Sequence, residues 1–236
     1  MDRVRRRLAV EAALVAAAIA LQSVHGVTSY DAGFMYVDVV GVPAVIATLL
    51  LGMRGGVRVA AATALGIYLL DGSGLVGALL KLAATMSTIV ALRCATARWT
   101  FVLAALSAFL VAGGASLTFR VLGAAALYVG LAAVALPLVA GVALAVGAPD
   151  RRAAQASIPR SSARLLLVPL LAAIMLRGTL MIAGDLFFAV PVFFHESVVD
   201  AMRAYPPATI FLWNGVQAVI DAVAGWVLAG ALQSRV

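Results

Sequence analysis

Long apolar runs, separated by short polar segments, set the rhythm of this chain. Read as helices, they predict membrane spans at about 8–24, 39–53, 57–71, 74–93, 99–119, 121–147, 164–190 and 207–232. A transmembrane barrel would instead show short segments of alternating hydropathy. The second and third runs are short and meet at the tight turn GMRGG, which marks them as tilted or partly re-entrant. The polar segment APDRRAAQASIPRSS, residues 148 to 162, carries two prolines and reads as a linker within a loop over 148–163. The expected fold class is an all-α polytopic membrane protein, one transmembrane domain over 1–236.

Polar residues inside these runs carry the functional signal. Lys81, Arg177, Asp185 and Asp221 lie within spans, away from the inner ends. Ionisable groups in hydrocarbon are costly and face a protein interior or a cavity. In the last run, Asn214, Gln217 and Asp221 fall within an arc of about 60° at 100° per residue, so they form one stripe. Asn214, Gln217, Lys81 and Asp185 share a depth near one membrane face and are read as a pocket lining. Arg177 and Asp221 lie deeper and are read as a structural ion pair. Trp213, Tyr68 and Phe34 are candidate pocket walls. Interhelical hydrogen bonding and interfacial anchoring are the plain alternatives for these side chains.

Charge fixes an expected orientation. With the N-terminus inside, Arg3, Arg5, Arg6, Arg7, Arg54, Arg58, Arg93, Arg98, Arg151, Arg152, Arg160, Arg164 and Arg235 all fall on the inner side. Only Arg120 and Arg203 fall outside, together with Asp31, Asp38, Asp71, Glu196 and Asp200. This follows the positive-inside rule and predicts cytoplasmic termini. The start, MDRVRRR before an alanine-rich run, is signal-peptide-like, but Glu11 within the run and the topology favour a retained first span.

Composition removes most other classes. The chain is 64% hydrophobic and 11% charged, with a mean hydropathy of +1.10. That leaves too few charges to cover a water-facing surface. The net charge of +7 sits in short loops, the pattern of membrane topology rather than of nucleic-acid binding. Cys94 is the single cysteine, and His25 and His195 are far apart, so neither disulfide nor metal chemistry is expected. No GxxxxGK[ST], HExxH or GxSxG motif occurs, so neither an ATP site of that kind nor an enzyme is expected, and no cofactor.

Three stretches resemble a known family. VDVVGVPAVIATLLLGMRGG (37–56) joins an acidic residue, Asp38, to Pro43 and a glycine-rich turn. LRGTLMIAGDLFFAVPVFF (176–194) and PPATIFLWNGVQAVIDAV (206–223) follow in order. Together they resemble the substrate-binding (S) components of energy-coupling-factor (ECF) transporters, riboflavin-specific type. The resemblance covers about two thirds of the chain. It implies a six-helix core, with 99–147 as an inserted helical hairpin, and a vitamin-binding subunit for riboflavin. It also implies a transmembrane coupling subunit and two cytoplasmic ATPases as partners. By resemblance, Asn214 and Gln217 hold the polar edge of the flavin, and the loop HGVTSYDAGFMY (25–36) closes over the pocket. Two interleaved rows, Ala9–Ala13–Ala17 and Ala12–Ala16–Ala20, match the family's docking motif for the coupling subunit.

The sequence departs from the family at three places. Asp185 stands where Asn is usual, Gln217 where Lys is frequent, and Arg54 where Pro is frequent. A Lys81–Asp185 pair would balance the first two changes. Another vitamin or small cargo is the first alternative. A stand-alone permease with Asp185, Arg177 and Asp221 as a proton relay is the second. A lipid-modifying membrane enzyme is the third, and the missing motifs weigh against it.

Overall fold

A computed structural model of the chain describes residues 3–24, 30–31, 35–70, 74–94 and 166–233. The elements, in chain order, are α1 (Arg3–Ser23), the strands β1 (Tyr30–Asp31) and β2 (Tyr36–Val37), α2 (Val42–Leu51), α3 (Met53–Leu70), α4 (Gly74–Cys94), α5 (Leu167–Gly184), α6 (Val198–Ala204) and α7 (Pro207–Gln233). The expected hairpin at 99–147 and the loop at 148–163 lie outside the described residues.

Three helical stretches are long and apolar enough to cross a bilayer: Gly74–Leu92, Leu167–Phe193 and Pro207–Gln233, of 19, 27 and 27 residues. Outward-facing side chains are large and apolar, among them Leu65, Leu69, Leu79, Phe187, Phe188, Leu212 and Val227. Polar groups turn inward: Asp38, Thr48, Thr88, Arg177, Asp185, Asn214, Gln217 and Asp221 are all buried. Apolar outside and polar inside suits a hydrocarbon solvent, where only satisfied polar groups are tolerated. The chain therefore has a helical membrane-protein fold.

The expected run at 39–53 is not a full crossing. α2 has 10 residues, roughly 15 Å at 1.5 Å per residue, against a core of about 30 Å. Its start is set by Asp38, whose carboxylate accepts the backbone N–H of Val40 at 2.9 Å, and by Pro43 in its first turn. Its end is set by Gly52, at φ +82, a conformation that glycine adopts without steric cost. α3 begins at the next residue.

α1 starts five residues before the run expected from hydropathy, so the arginine cluster is itself helical. Arg7 Nη2 donates to the Leu51 carbonyl at 2.8 Å, where a cation complements the C-terminal end of α2. Arg7 Nε and Arg58 Nη2 both donate to Glu11 Oε1, at 3.3 and 2.6 Å. Glu11 thus ties α1 to α3 inside the bundle, which explains an acidic residue in an alanine-rich run.

The helices close into a ring. α7 packs on α5, α5 on α4, α4 on α3, α3 on α2, and α2 returns to α7; α1 lies outside against α3 and α2. Val42, Val45, Ile46 and Leu49 of α2, Leu92 of α4 and Ala222 and Ala229 of α7 form one core cluster. A Cβ added at Gly41 would collide with the Asp221 carboxylate. The bare glycine therefore lets that anion sit at the N-terminal end of α2, where the helix dipole favours it.

α5 does not end at Gly184. A π-helical stretch, Asp185–Ala189, follows, with the N–H of Val190 donating to the Asp185 carbonyl. Pro191 comes next in a helical turn, Val190–Phe193. Proline has no N–H and crowds the carbonyl four residues back, so the wide turn absorbs a defect that an α-helix would carry as a break. α6 was not expected from hydropathy. Ser197 caps it, accepting the Asp200 N–H at 3.2 Å. The two-residue strands pair antiparallel, Tyr30 opposite Val37 and Asp31 opposite Tyr36.

Candidate functional site

Within the ring lies a cavity of about 360 Å³. It is at the end of the bundle away from the Arg7–Glu11–Arg58 cluster, between Gln22 of α1, Gly77 of α4, Phe193 and Phe194 after α5, and Asn214 of α7. Asp38, Lys81, Asp185 and Asn214 all line it. These four come from the approach to α2, from α4, from the end of α5 and from α7. Of the four polar side chains placed at one depth, Lys81, Asp185 and Asn214 reach this space, and Asp38 joins them.

Their pairing differs from the expected one. Lys81 Nζ lies 2.7 and 2.5 Å from the two carboxylate oxygens of Asp38, so its ion pair is with Asp38 rather than Asp185. Asp38 is available because its turn, stapled to α7 through Gln217, faces α4. Asp185 instead accepts from Asn214 Nδ2 at 3.1 Å. The same amide also donates to the Ile210 carbonyl at 3.1 Å. Asn214 is 1% exposed and Asp185 5%.

Gln217, expected to contact cargo, sits behind the cavity wall. It is fully buried and does not line the cavity. Nε2 donates to the Asp38 carbonyl at 2.6 Å and to Asp221 Oδ1 at 3.1 Å, while Oε1 accepts the Asp38 N–H at 2.8 Å. With both ends of its amide engaged, Gln217 has little left to offer a ligand. It positions Asp38, and through Asp38 it positions Lys81.

The deeper pair is formed. Arg177 Nη1 donates to Asp221 Oδ2 at 2.7 Å, with side chains 3% and 1% exposed. Arg177 has a second face that the sequence reading did not assign: it also lines the cavity.

The candidate walls are largely replaced. Tyr68 is half exposed on α3 and lies away from the cavity. Trp213 packs with Leu186, Val190, Ala201 and Ile210, one helical position from the cavity-facing Asn214. Phe34 lies outside the described residues. The apolar lining consists of Met35, Tyr36, Ile67, Leu80, Met181, Phe193 and Phe194, among others. Met35 and Tyr36 end the loop expected to close over the pocket. Phe193 and Phe194 escape a constant 100° reading because the wide π turn over Asp185–Ala189 takes fewer degrees per residue.

Comparison with known protein families, curated proteins and solved structures finds no match.

The six alanines of the two rows, Ala9, Ala12, Ala13, Ala16, Ala17 and Ala20, are all exposed. The opposite face of α1, with Glu11, Leu14, Val15 and Ala18, packs inward. Among the described residues, no group of three His, Cys, Asp or Glu side chains is placed to hold a metal ion.

Proposed function

We propose that the chain is the cargo-binding membrane subunit of an ECF-type vitamin uptake transporter, with riboflavin as the cargo that its three motifs point to. The observation that carries this reading is the cavity. Four polar side chains from four separate segments converge in one space with apolar and aromatic walls. Its volume lies in the range of small-molecule sites, about 300–1,000 Å³.

In this reading the protein is a multi-pass protein of the plasma membrane with cytoplasmic termini, and the cavity opens outward. It has no chemistry and no cofactor of its own. A transmembrane coupling subunit and two cytoplasmic ATPases supply the energy. The alanine face of α1 is the docking surface, since small residues permit close helix approach in a membrane. The engaged Arg177–Asp221 pair counts against a proton relay through those residues.

The test is titration of purified protein with riboflavin, followed by flavin fluorescence. Saturable quenching that weakens in Asn214→Ala supports the reading. A colourless protein that ignores added riboflavin removes riboflavin as cargo. Uptake into proteoliposomes driven by a proton gradient, without ATPase subunits, removes the coupling scheme.

A further inference from the structure

Along α5 and its extension, the cavity is lined at steps of four: Arg177, Met181, Asp185, Ala189 and Phe193. An unbroken α-helix cannot present that series. At 3.6 residues per turn each step of four overshoots by about 40°, so Phe193 would lie about 160° from Arg177, on the far side. Phe188 and Val192 would take its place, about 20° and about 60° from Arg177, within the arc of about 80° that Arg177, Met181 and Asp185 span. The structure shows the reverse. Phe188 and Val192 are 57% and 44% exposed and do not line the cavity, whereas Ala189 is 6% exposed and does.

The π-helical stretch Asp185–Ala189 makes the difference. Its bonds close over five residues instead of four, so it takes in one extra residue, about 100° of phase. Ala189 and Phe193 then return to about 20° and about 60° from Arg177, on the stripe. Pro191 supports this register, because it has no N–H to give the Phe187 carbonyl, the bond an unbroken α-helix would need there. The stripe is also graded. Its inner part carries Arg177 and Asp185, and its outer part is apolar. There the methyl group of Ala189 leaves space in a lining that includes Tyr36, Phe193 and Phe194. Aromatic side chains around such a space favour a flat ring, stacked or edge-on.

We propose that the π turn is a specificity element of the cargo site: it turns Ala189 and Phe193 into the cavity, and the space over Ala189 receives an uncharged aromatic ring at the apolar end of the cargo. Ala189 sets the room for that ring, and the π turn is the positioning element. The inference rests on the cavity being the cargo site. The dimethylbenzene end of a flavin has the required character, but the geometry asks only for a ring.

The experiment places single cysteines in the full-length protein on a Cys94→Ser background: Phe188→Cys, Ala189→Cys, Val192→Cys and Phe193→Cys. Each purified protein, in detergent, is reacted with hydroxyethyl methanethiosulfonate, a small neutral reagent, and followed by mass. Ala189→Cys and Phe193→Cys are expected to react about tenfold or more faster than Phe188→Cys and Val192→Cys, since a thiol held in apolar surroundings forms little thiolate. Saturating riboflavin, or quinoxaline as a water-soluble neutral ring, is expected to slow Ala189→Cys, and protection by either supports the ring site. The opposite order of reactivity, or equal rates at all four positions, overturns the proposal. So does an Ala189→Cys protein that reacts at full rate in the presence of both rings. If Ala189→Cys does not fold, Phe193→Cys against Val192→Cys reads the same stripe. Protection by quinoxaline in a protein that ignores riboflavin keeps this inference and loses only that cargo. Saturable binding of riboflavin with no protection by either ring loses only this inference.

Discussion

Gln217 and Asp38, 179 residues apart in sequence, exchange two hydrogen bonds: the Asp38 N–H donates to Oε1 at 2.8 Å, and Nε2 donates to the Asp38 carbonyl at 2.6 Å. This is a strand-like pairing made by a side chain. It fixes the turn before α2 against α7 and aims the Asp38 carboxylate at Lys81. Replacing Gln217 with Ala leaves both backbone groups and Asp221 Oδ1 without this partner. The expected loss is about 2–3 kcal/mol, from roughly 1 kcal/mol per hydrogen bond, seen as a lower thermal midpoint in detergent. Cargo affinity should fall in parallel because Lys81 loses its anchor. A Gln217→Ala protein with full stability but no binding would show direct ligand contact instead.

The Lys81–Asp38 pair gives a sharper test of the same chain of contacts. Lys81→Met alone strands the Asp38 carboxylate in a largely buried site, and Asp38→Asn alone strands the ammonium. Removing one partner of a buried pair costs more than removing both. The double variant is therefore expected to be more stable than either single one. A double-mutant cycle read by thermal unfolding should return a coupling of about 1–3 kcal/mol. Additive losses would mean that the two groups act independently.

Arg177 and Asp221 should behave the same way at greater depth, with larger effects. Asp221→Ala leaves a guanidinium without its carboxylate near the middle of the bundle. The expected cost is about 3–5 kcal/mol, enough to prevent folding. Arg177→Met with Asp221→Leu should recover most of it. That double variant also removes the Arg177 guanidinium from the cavity wall, so its cargo binding should remain weak while its stability returns. Recovered stability together with recovered binding would place Arg177 outside the site.

Much of this arrangement is legible in the sequence, and the limits are physical. The helix positions follow from the lengths of the apolar runs. The Arg177–Asp221 pair follows from two opposite charges at one depth. The partner of Lys81 does not follow, because Asp38 and Asp185 both lie near its depth, and depth alone does not choose between them. The choice is made by Gln217, whose helical angle shows a buried face but not which backbone it meets. The aromatic walls are hidden for another reason. The π stretch ahead of Pro191 shifts the phase of the chain, so a constant 100° step misplaces Phe193 and Phe194. α2 reads as a span because Val39 and Val40 before it and Met53 after it extend its apolar run past the ends of its helix.

The alanine face of α1 tests the proposed assembly. Ala13 and Ala16 are exposed, while Glu11 and Ala18 face inward. Enlarging the exposed pair, as in Ala13→Leu with Ala16→Leu, touches no packed side chain. The change in stability is expected to stay within about 0.5 kcal/mol, as at other exposed sites. Cargo binding by the isolated protein should be unchanged, because Gln22 is the α1 residue at the cavity. Uptake by cells that express the complete transporter should be lost, since close helix approach depends on small side chains at the contact. The comparison is made on three readouts from one protein: thermal midpoint, ligand titration and cellular uptake. Loss of uptake alone identifies a docking surface. Loss of all three would mean that α1 is held through this face within the folded protein, and unimpaired uptake would place the partner elsewhere.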